Sequence, residues 1–538
     1  MLKKQHLSLC LILILSSCST KDKPELNFNG ISELEITIDT LQMSKMEALR
    51  LEALKAGVIT KSTKTKFPCI IMYGDQVFGA KIRFKGDWTD HISGKKWSYR
   101  IELKNRTLLG KKTFSVQKPS TRGYGQEWLI HQLFKYNQVL TTDYKFVPVR
   151  INGKLLGLYA FEEHFEKQLL QSQNRPESVI LKYDESLFWE CRIMEKKGNA
   201  PGYFPLFEAT EVIPFNRKKN SRKKKLKEQL KLGLGLMECY RSFSPEVNEY
   251  LDLDKFAQFY AILTIANSWH GAVWHNQRMY VNPETKRLEP IGFDVYSQGE
   301  TTVDTCVVFG KIMATNNRWP IVEVSRYYEQ FLFSKESFRE LYFKHLRRIS
   351  DREYLSSFFT HIHSEIDSIN SLMRVEYPEM LVDTSLLQNN AILIQHDTDR
   401  FKSWFNSESS KISPDTTNYR SNMKAEVSEL IPIRVYQEAP RRYTIENVGG
   451  KVITPVGYRI KKVEKLTLFK EPKSIGTSHW QRNRLEIVIV PKLKELVFSI
   501  EGDTTLKTVA ITPWRAPTTF CGSKPTSDVL NQTYGHKK

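Results

Sequence analysis

The stretch Asn267–Asp294 reads NSWHGAVWHNQRMYVNPETKRLEPIGFD. Two apolar runs of β type, Gln277–Asn282 and Leu288–Asp294, flank a Pro-Glu-Thr-Lys turn and so predict a hairpin. Asn276 opens that hairpin and Asp294 closes its second run. Hard divalent cations take oxygen ligands, and a phosphate completes such a shell, so this pair suits a divalent cation beside a phosphate. The plainer reading has Asp294 capping the next turn and Asn276 starting a β-turn. His270 and His275 stand five residues apart, which is not one helical face, and no HExxH accompanies them. A transition-metal centre of His270, His275 and Asp294 is therefore the weaker reading.

Before this stretch the pattern is mainly β. Strands are predicted from Glu33 (ELEITI), at Pro68–Tyr73, Gln76–Phe84, Trp97–Leu103 and around Thr113–Gln117, with helices at Ser44–Ala56 and Gln126–Tyr136. Lys145–Ile151 and Leu155–Phe161 form a hairpin through Asn152-Gly153, the strongest turn signal in the chain. The loop Lys85–Lys96 (KGDWTDHISGKK) carries Gly86, Gly94 and a lysine at either end, features that let N–H and ammonium groups approach an anion. Its Asp87, Asp90 and His91 serve equally well as turn caps.

After residue 186 helical patterns dominate, at Lys223–Arg241, Leu253–Asn267, Val322–Phe331, Lys335–Arg348, Arg352–Met373 and Thr384–Asn406. A polar run, Asn406–Asn422, then gives way to six short strand patterns between Ile433 and Ile511, which suggest a small β-sandwich. The domain plan is thus a leader (1–17), a tether (18–30), a β-rich part (31–185), a helical part (186–406), a linker (407–425), a sandwich (426–520) and a tail (521–538).

The 538 residues exceed one compact domain, and 40% apolar with 12% aromatic residues excludes a disordered chain. The leader MLKKQHLSLCLILILSSCS has a basic start, an apolar run too short to span a bilayer, and Leu15-Ser16-Ser17-Cys18 in the form of a bacterial lipoprotein box. That form implies a lipid on Cys18 and an extracytoplasmic place in the cell envelope, with the outer membrane favoured. The five remaining cysteines, Cys69, Cys191, Cys239, Cys306 and Cys521, are widely spaced, which supports neither a CxxC metal site nor a dense disulfide framework. The formal charge of +20 gathers partly in Arg217–Lys227, read as a solvated loop, with an acidic substrate or lipid headgroup as the alternative and no nucleic-acid partner.

Arg83–Gly86 (RFKG), Lys96–Ile101 (KWSYRI), Ile151–Tyr159 (INGKLLGLY) reaching Glu163, then His275-Asn276 and Ile291–Asp294 occur in an order and spacing that resemble the CotH kinase family, a group of secreted atypical kinase-like proteins. The wording around KGDWTDH and HGAVWHNQRMYVNP resembles its lipoprotein branch. The resemblance implies an α+β, two-lobed atypical protein-kinase-like fold with a β-rich N-lobe and a helical C-lobe. It also implies ATP with Mg (or Mn) between the lobes, and phosphoryl transfer to a hydroxyl of a secreted or surface protein or glycan. Such chemistry needs metal ligands, cations for the phosphates and a group that orients the nucleophile. On this resemblance Asp294 and Asn276 hold the metal. Glu127 pairs with a phosphate-holding cation, for which Lys85 and Arg100 are the candidates, and Glu163 lies at the connector near the base or ribose. The chain departs from the family at His270, near where an aspartate is usual, and at Glu102, where lysine is common. Histidine accepts a proton near an ordinary pKa of about 6.5 but does not replace a carboxylate on magnesium. A catalytically inactive module that binds nucleotide or a surface polymer is therefore the second reading.

Overall fold

The structure, a computed structural model, describes residues 26–185 apart from 29 and 61, then 189, 193, 212–216, 220, 222–241, 246–296 apart from 269, 327–408, 432–439, 442–447, 452–460, 466–475, 483–488, 493–501, 506–510 and 529–534. The leader, Cys18 and most of the 186–211 segment lie outside these residues.

The first half is built on period-two strands. In β1 (Leu34–Thr37), β2 (Phe67–Tyr73), β3 (Gln76–Phe84) and β4 (Tyr99–Leu103) alternate side chains point inward, as Phe78, Ala80, Ile82 and Phe84 do in β3. Helix α1 (Thr40–Ala56) starts where Asp39 accepts the Leu41 N–H at 2.9 Å and stops at Gly57 in the left-handed region. In β5 (Thr113–Gln117) every residue is buried, as is β7 (Lys154–Glu163) from Gly157 onward, because both faces are covered. Phe114, Val116, Tyr159 and Phe161 fill the inside, while Leu158 and Ala160 face the helical part. The Asn152-Gly153 turn joins β6 (Tyr144–Ile151) to β7 with φ of 48° and 78°, as the sequence predicts.

The sheet topology overturns the two-lobed kinase-like arrangement. The strands run β1-β2-β3-β4-β5-β7-β6 and close on themselves, because β1 pairs antiparallel with β2 and also parallel with β6. A kinase-like β-rich lobe would leave that sheet open. The Leu34↔Val149 and Ile36↔Ile151 pairs instead abolish both edges and make a seven-stranded barrel. Hairpin signals report neighbours in sequence, and this closing pair spans more than a hundred residues, so nothing local announces it.

Helix α2 (Gly125–Tyr136) crosses outside the barrel, and α3 (Lys167–Ser172) follows β7. The expected central hairpin forms as β10 (Met279–Val281) and β11 (Leu288–Pro290). It joins β8 (Ile180–Tyr183) and β9 (Val212–Pro214), which the sequence reading missed, in a sheet of order β11-β10-β8-β9. The almost wholly buried helix Leu253–Ile265 is the axis of the helical part and packs on helix Glu336–Ile349, where Thr264 Oγ1 and Tyr342 OH lie 2.9 Å apart. The single helix expected at Arg352–Met373 is two, Arg352–His361 and His363–Glu376.

The last strands make two four-stranded sheets, one containing β12 (Pro432–Ala439) and β13 (Arg442–Asn447), the other β14 (Ile453–Ile460) and β15 (Leu493–Ile500). Ile445 from the first packs with Ile453, Leu496 and Phe498 from the second. The strand Val529–Tyr534, inside the range read as a tail, pairs with β12. Among the described residues no helix is long and apolar enough to cross a membrane. Cys69 is free and buried, which pushes its thiol up to about 12, and Cys239 is disulfide-bonded.

Candidate active site on the outer wall of the barrel

The inward residues of β3, β4, β5 and β7 are apolar, so their outward residues form a second surface, and on it the register lines up a polar row. Arg83 stands opposite Arg100, Arg100 opposite Ser115, and Ser115 opposite Glu162. Like charges directly opposite one another repel. Here a carboxylate stands at the end of the row. Lys85, the next outward residue after Arg83, is buried and binds Glu162, and its Nζ also donates to Gln117 Oε1 at 2.6 Å. Burial draws the Lys85 ammonium down to about 8, against the pull of Glu162. Arg100 donates to Ser115 Oγ at 2.7 Å and meets His164 Nδ1; burial brings its pKa to about 10.

Facing this wall, Asp294 projects from the end of the β11 segment with φ 58°. Gly292 two residues earlier has no room for a side chain, since a Cβ there would sit 2.8 Å from Thr141 Oγ1 and 2.9 Å from the Phe134 ring. Its N–H donates to the Leu140 carbonyl at 2.7 Å, which fixes where Asp294 emerges. Asp294 Oδ1 lies 3.0 Å from Arg122 Nη1, and Oδ2 lies 3.1 Å from His270 Nδ1. Burial raises the Asp294 pKa, but Arg122, His270 and Lys85 more than reverse this and hold the carboxyl well below its ordinary value. The same carboxylate, with Glu127 and Glu162, keeps Arg122 charged despite burial. Asn276 donates from Nδ2 to the His270 carbonyl at 3.1 Å and lies 3.2 Å from His270 Nδ1. Arg278 donates to the His275 carbonyl at 2.7 Å and lies over the Phe293, Phe165 and Phe215 rings. Burial, against the pull of Glu185, takes His275 down to about 4, so it is neutral near pH 7.

The structure thus brings together five of the expected residues: Lys85, Arg100, His270, Asn276 and Asp294. It gives the two glutamates other partners. Glu127 meets neither Lys85 nor Arg100; it lies 3.0 Å from His131 Nε2, whose ring continues to Thr141, and is close enough to Arg122 to favour its charged form. Glu163 turns to the other face of β7, where it pairs with Lys111 at 2.7 Å and accepts the Asp143 N–H at 3.1 Å. The partner of the buried lysine is its neighbour Glu162. Period-two reading carried the signal, since Glu162 shares a face with Leu158 and Ala160 and Glu163 does not. Arg122 and Arg278 were also missed. Arg122 sits at the end of a short 3₁₀ turn, Pro119–Arg122, just before Gly123 and Tyr124 at φ 62° and 55°, and no periodicity marks it. Glu102 lies farther along β4, where Lys66 binds it at 2.6 Å, outside the cluster.

The buried Lys85, Arg122 and Arg278 and the half-buried Arg83 and Arg100 converge here around the carboxylates Glu162 and Asp294, with Glu127 acting on Arg122 and Glu185 on Arg278. Clustered guanidinium and ammonium groups suit the oxygens of a bound phosphate. Asp294 Oδ1 is buried without a well-aligned hydrogen bond, and the Asn276 carboxamide meets the same His270 Nδ1 that Asp294 holds. One carboxylate with one amide oxygen fits a cation that completes its shell with phosphate oxygens and water, as magnesium does. Among the described residues no group of three or more His, Cys, Asp or Glu offers a self-sufficient metal cage.

No curated protein matches the chain. The family model described as CotH kinase protein matches residues 82–407, which contain every residue of the cluster. That match spans more than half of the sequence, and the chain belongs to the CotH kinase family.

Proposed function

We propose that the protein is an extracytoplasmic phosphotransferase that moves the γ-phosphoryl group of ATP to a hydroxyl of a secreted or surface protein or glycan. The observation that carries this reading is the cluster of cations, Arg122, Lys85 and Arg100, around Asp294 and Glu162 on the outer wall of the barrel. Arg122, Arg100 and Lys85 would bind phosphate oxygens, with Glu162 and Gln117 fixing the Lys85 ammonium so that it does not reorganise during the reaction. Asp294 and Asn276 would hold magnesium or manganese, which supplies neutralisation of phosphate charge when bound. His270, 23% exposed at its side chain and anchored through Nδ1 to Asp294, would take the acceptor hydroxyl's proton. A lipid on Cys18 would hold the protein to the envelope membrane.

The test is magnesium- or manganese-dependent transfer of labelled γ-phosphate by the chain from Cys18 onward, with Asp294→Ala and His270→Ala in parallel. Incorporation abolished by Asp294→Ala supports the reading, and a His270→Ala loss assigns the proton acceptor. One observation favours a second reading, a module that binds nucleotide or a surface polymer without catalysis. The group beside Asp294 is an imidazole, His270, where the family usually has a carboxylate. Metal-nucleotide binding without any incorporation would select it.

A further inference from the structure

The acceptor end of the site is marked by rings rather than by charge. Trp88, in the loop after β3, is 43% exposed, one of the most exposed aromatic side chains described. Its backbone is fixed all the same: it forms a bridge with Val58, and the preceding Asp87 carbonyl accepts the Ile59 N–H at 2.7 Å. Trp88 meets Trp189 edge to face at 5.1 Å, Trp189 lies 6.3 Å from the His275 ring, and His275 lies 6.3 Å from His270, which holds Asp294. A line of rings thus runs from solvent to the residue that would take the acceptor's proton.

Carboxylates stand beside this line. Asp87 and Asp90 flank Trp88 in sequence; Asp87 pairs with Lys64, and Asp90 Oδ1 accepts the His91 N–H at 2.8 Å. Asp87 is also close enough to favour the charged forms of His275 and Arg278. Carboxylates repel the phosphates of a nucleotide but accept hydrogen bonds from hydroxyl groups. An indole face carries negative charge in its quadrupole and attracts polarised C–H groups. A ring with an apolar C–H face and a rim of hydroxyls, which is a pyranose, satisfies both at once.

We infer that Trp88, with Asp87 and Asp90 beside it, is the acceptor subsite and that the acceptor is a carbohydrate hydroxyl. This narrows the phosphotransferase reading and rests on it for the role of the sugar, but the binding it describes is measurable without nucleotide.

The experiment titrates the full chain from Cys18 onward with cellotetraose, chitotetraose and maltotetraose in nucleotide-free buffer. It reads calorimetry and quenching of tryptophan fluorescence, the latter by difference from variants because the chain has ten tryptophans. Saturable binding of at least one tetrasaccharide is expected. Trp88→Ala should weaken it at least tenfold, while Trp88→Phe, which keeps a stacking ring and guards against a misfolded alanine variant, should hold it within about threefold. Binding by none of the three sugars would overturn the inference, and so would equal affinity in wild type and Trp88→Ala. Quenching by a serine- and tyrosine-containing peptide in their place would overturn it in favour of a protein acceptor. Sugar binding that persists in a protein unable to bind metal-ATP would support the subsite while removing the phosphotransferase reading.

Discussion

Arg122 Nη1 stands 3.0 Å from Asp294 Oδ1, buried between the barrel wall and the segment that follows β11. The two residues come from elements far apart in sequence, and each sets the other's charge state. Breaking a buried pair by removing one partner is expected to destabilise by about 3–5 kcal/mol, because the other charge stays buried and unmatched. Arg122→Met and Asp294→Asn should each fall near that range in urea unfolding. The double variant should cost less than their sum by about 1–3 kcal/mol. Additive effects would mean that the pair does not interact as described.

Lys85 and Glu162 form a second buried pair, and here stability and binding should separate. Glu162→Gln leaves the ammonium without its carboxylate and should lower the melting temperature clearly. Lys85→Met combined with Glu162→Gln removes both charges and should recover most of that loss. The double variant should still bind ATP at least tenfold more weakly, about 1.4 kcal/mol. Calorimetric titration beside thermal unfolding checks both halves.

Gly86 and Gly74 both adopt positive φ, 91° and 55°, but only one is crowded. A Cβ at Gly86 would lie 2.0 Å from His91 Cδ2, whereas nothing lies within 4 Å of one at Gly74. Gly74→Ala should cost about 1 kcal/mol from backbone strain alone. Gly86→Ala should cost clearly more, since the buried His91 ring has to shift and the Lys85 loop with it. Similar losses at the two sites would contradict the packing of His91 under that loop.

Asp143 gives the pH dependence a sign. Burial raises its pKa, but Lys135 at 2.8 Å, with Lys145 and Lys111, brings the carboxyl down to about 2. A carboxyl depressed in the folded state stabilises above its unfolded pKa of about 3.9, and that contribution is lost as pH falls through about 2. Asp143→Asn should therefore destabilise on the order of 2 kcal/mol at pH 7, with the gap to wild type closing between about pH 4 and pH 2. A constant gap across that range would assign the effect to packing instead.

How much of this was legible in the sequence varies by residue. The β10–β11 hairpin, the Asn152-Gly153 turn and the approach of His270 and Asn276 to Asp294 follow from local patterns, because turn chemistry and alternation act over a few residues. The barrel does not, since β1 reaches β6 through a parallel pairing that no turn encodes. The buried lysine's partner is Glu162 rather than the helix glutamate Glu127, and Glu163, expected near the base or ribose, lies on the opposite face of β7, because in a strand one residue is the difference between two faces. Arg122 was beyond reach, as its place depends on a 3₁₀ turn and two left-handed residues whose geometry only the folded chain defines.

The central claim is that Asp294 and the cations around it hold a metal-bound nucleotide triphosphate. Titrating Mn-ATP into the full chain from Cys18 onward and reading free Mn²⁺ by electron paramagnetic resonance tests it most directly, with Asp294→Asn and Arg122→Met alongside. The account predicts stoichiometric binding that weakens at least tenfold in both variants, and much poorer binding of Mn²⁺ alone because the protein supplies too few oxygen ligands by itself. Mn-ATP binding that is unchanged in Asp294→Asn, or absent from the wild-type protein, would contradict it.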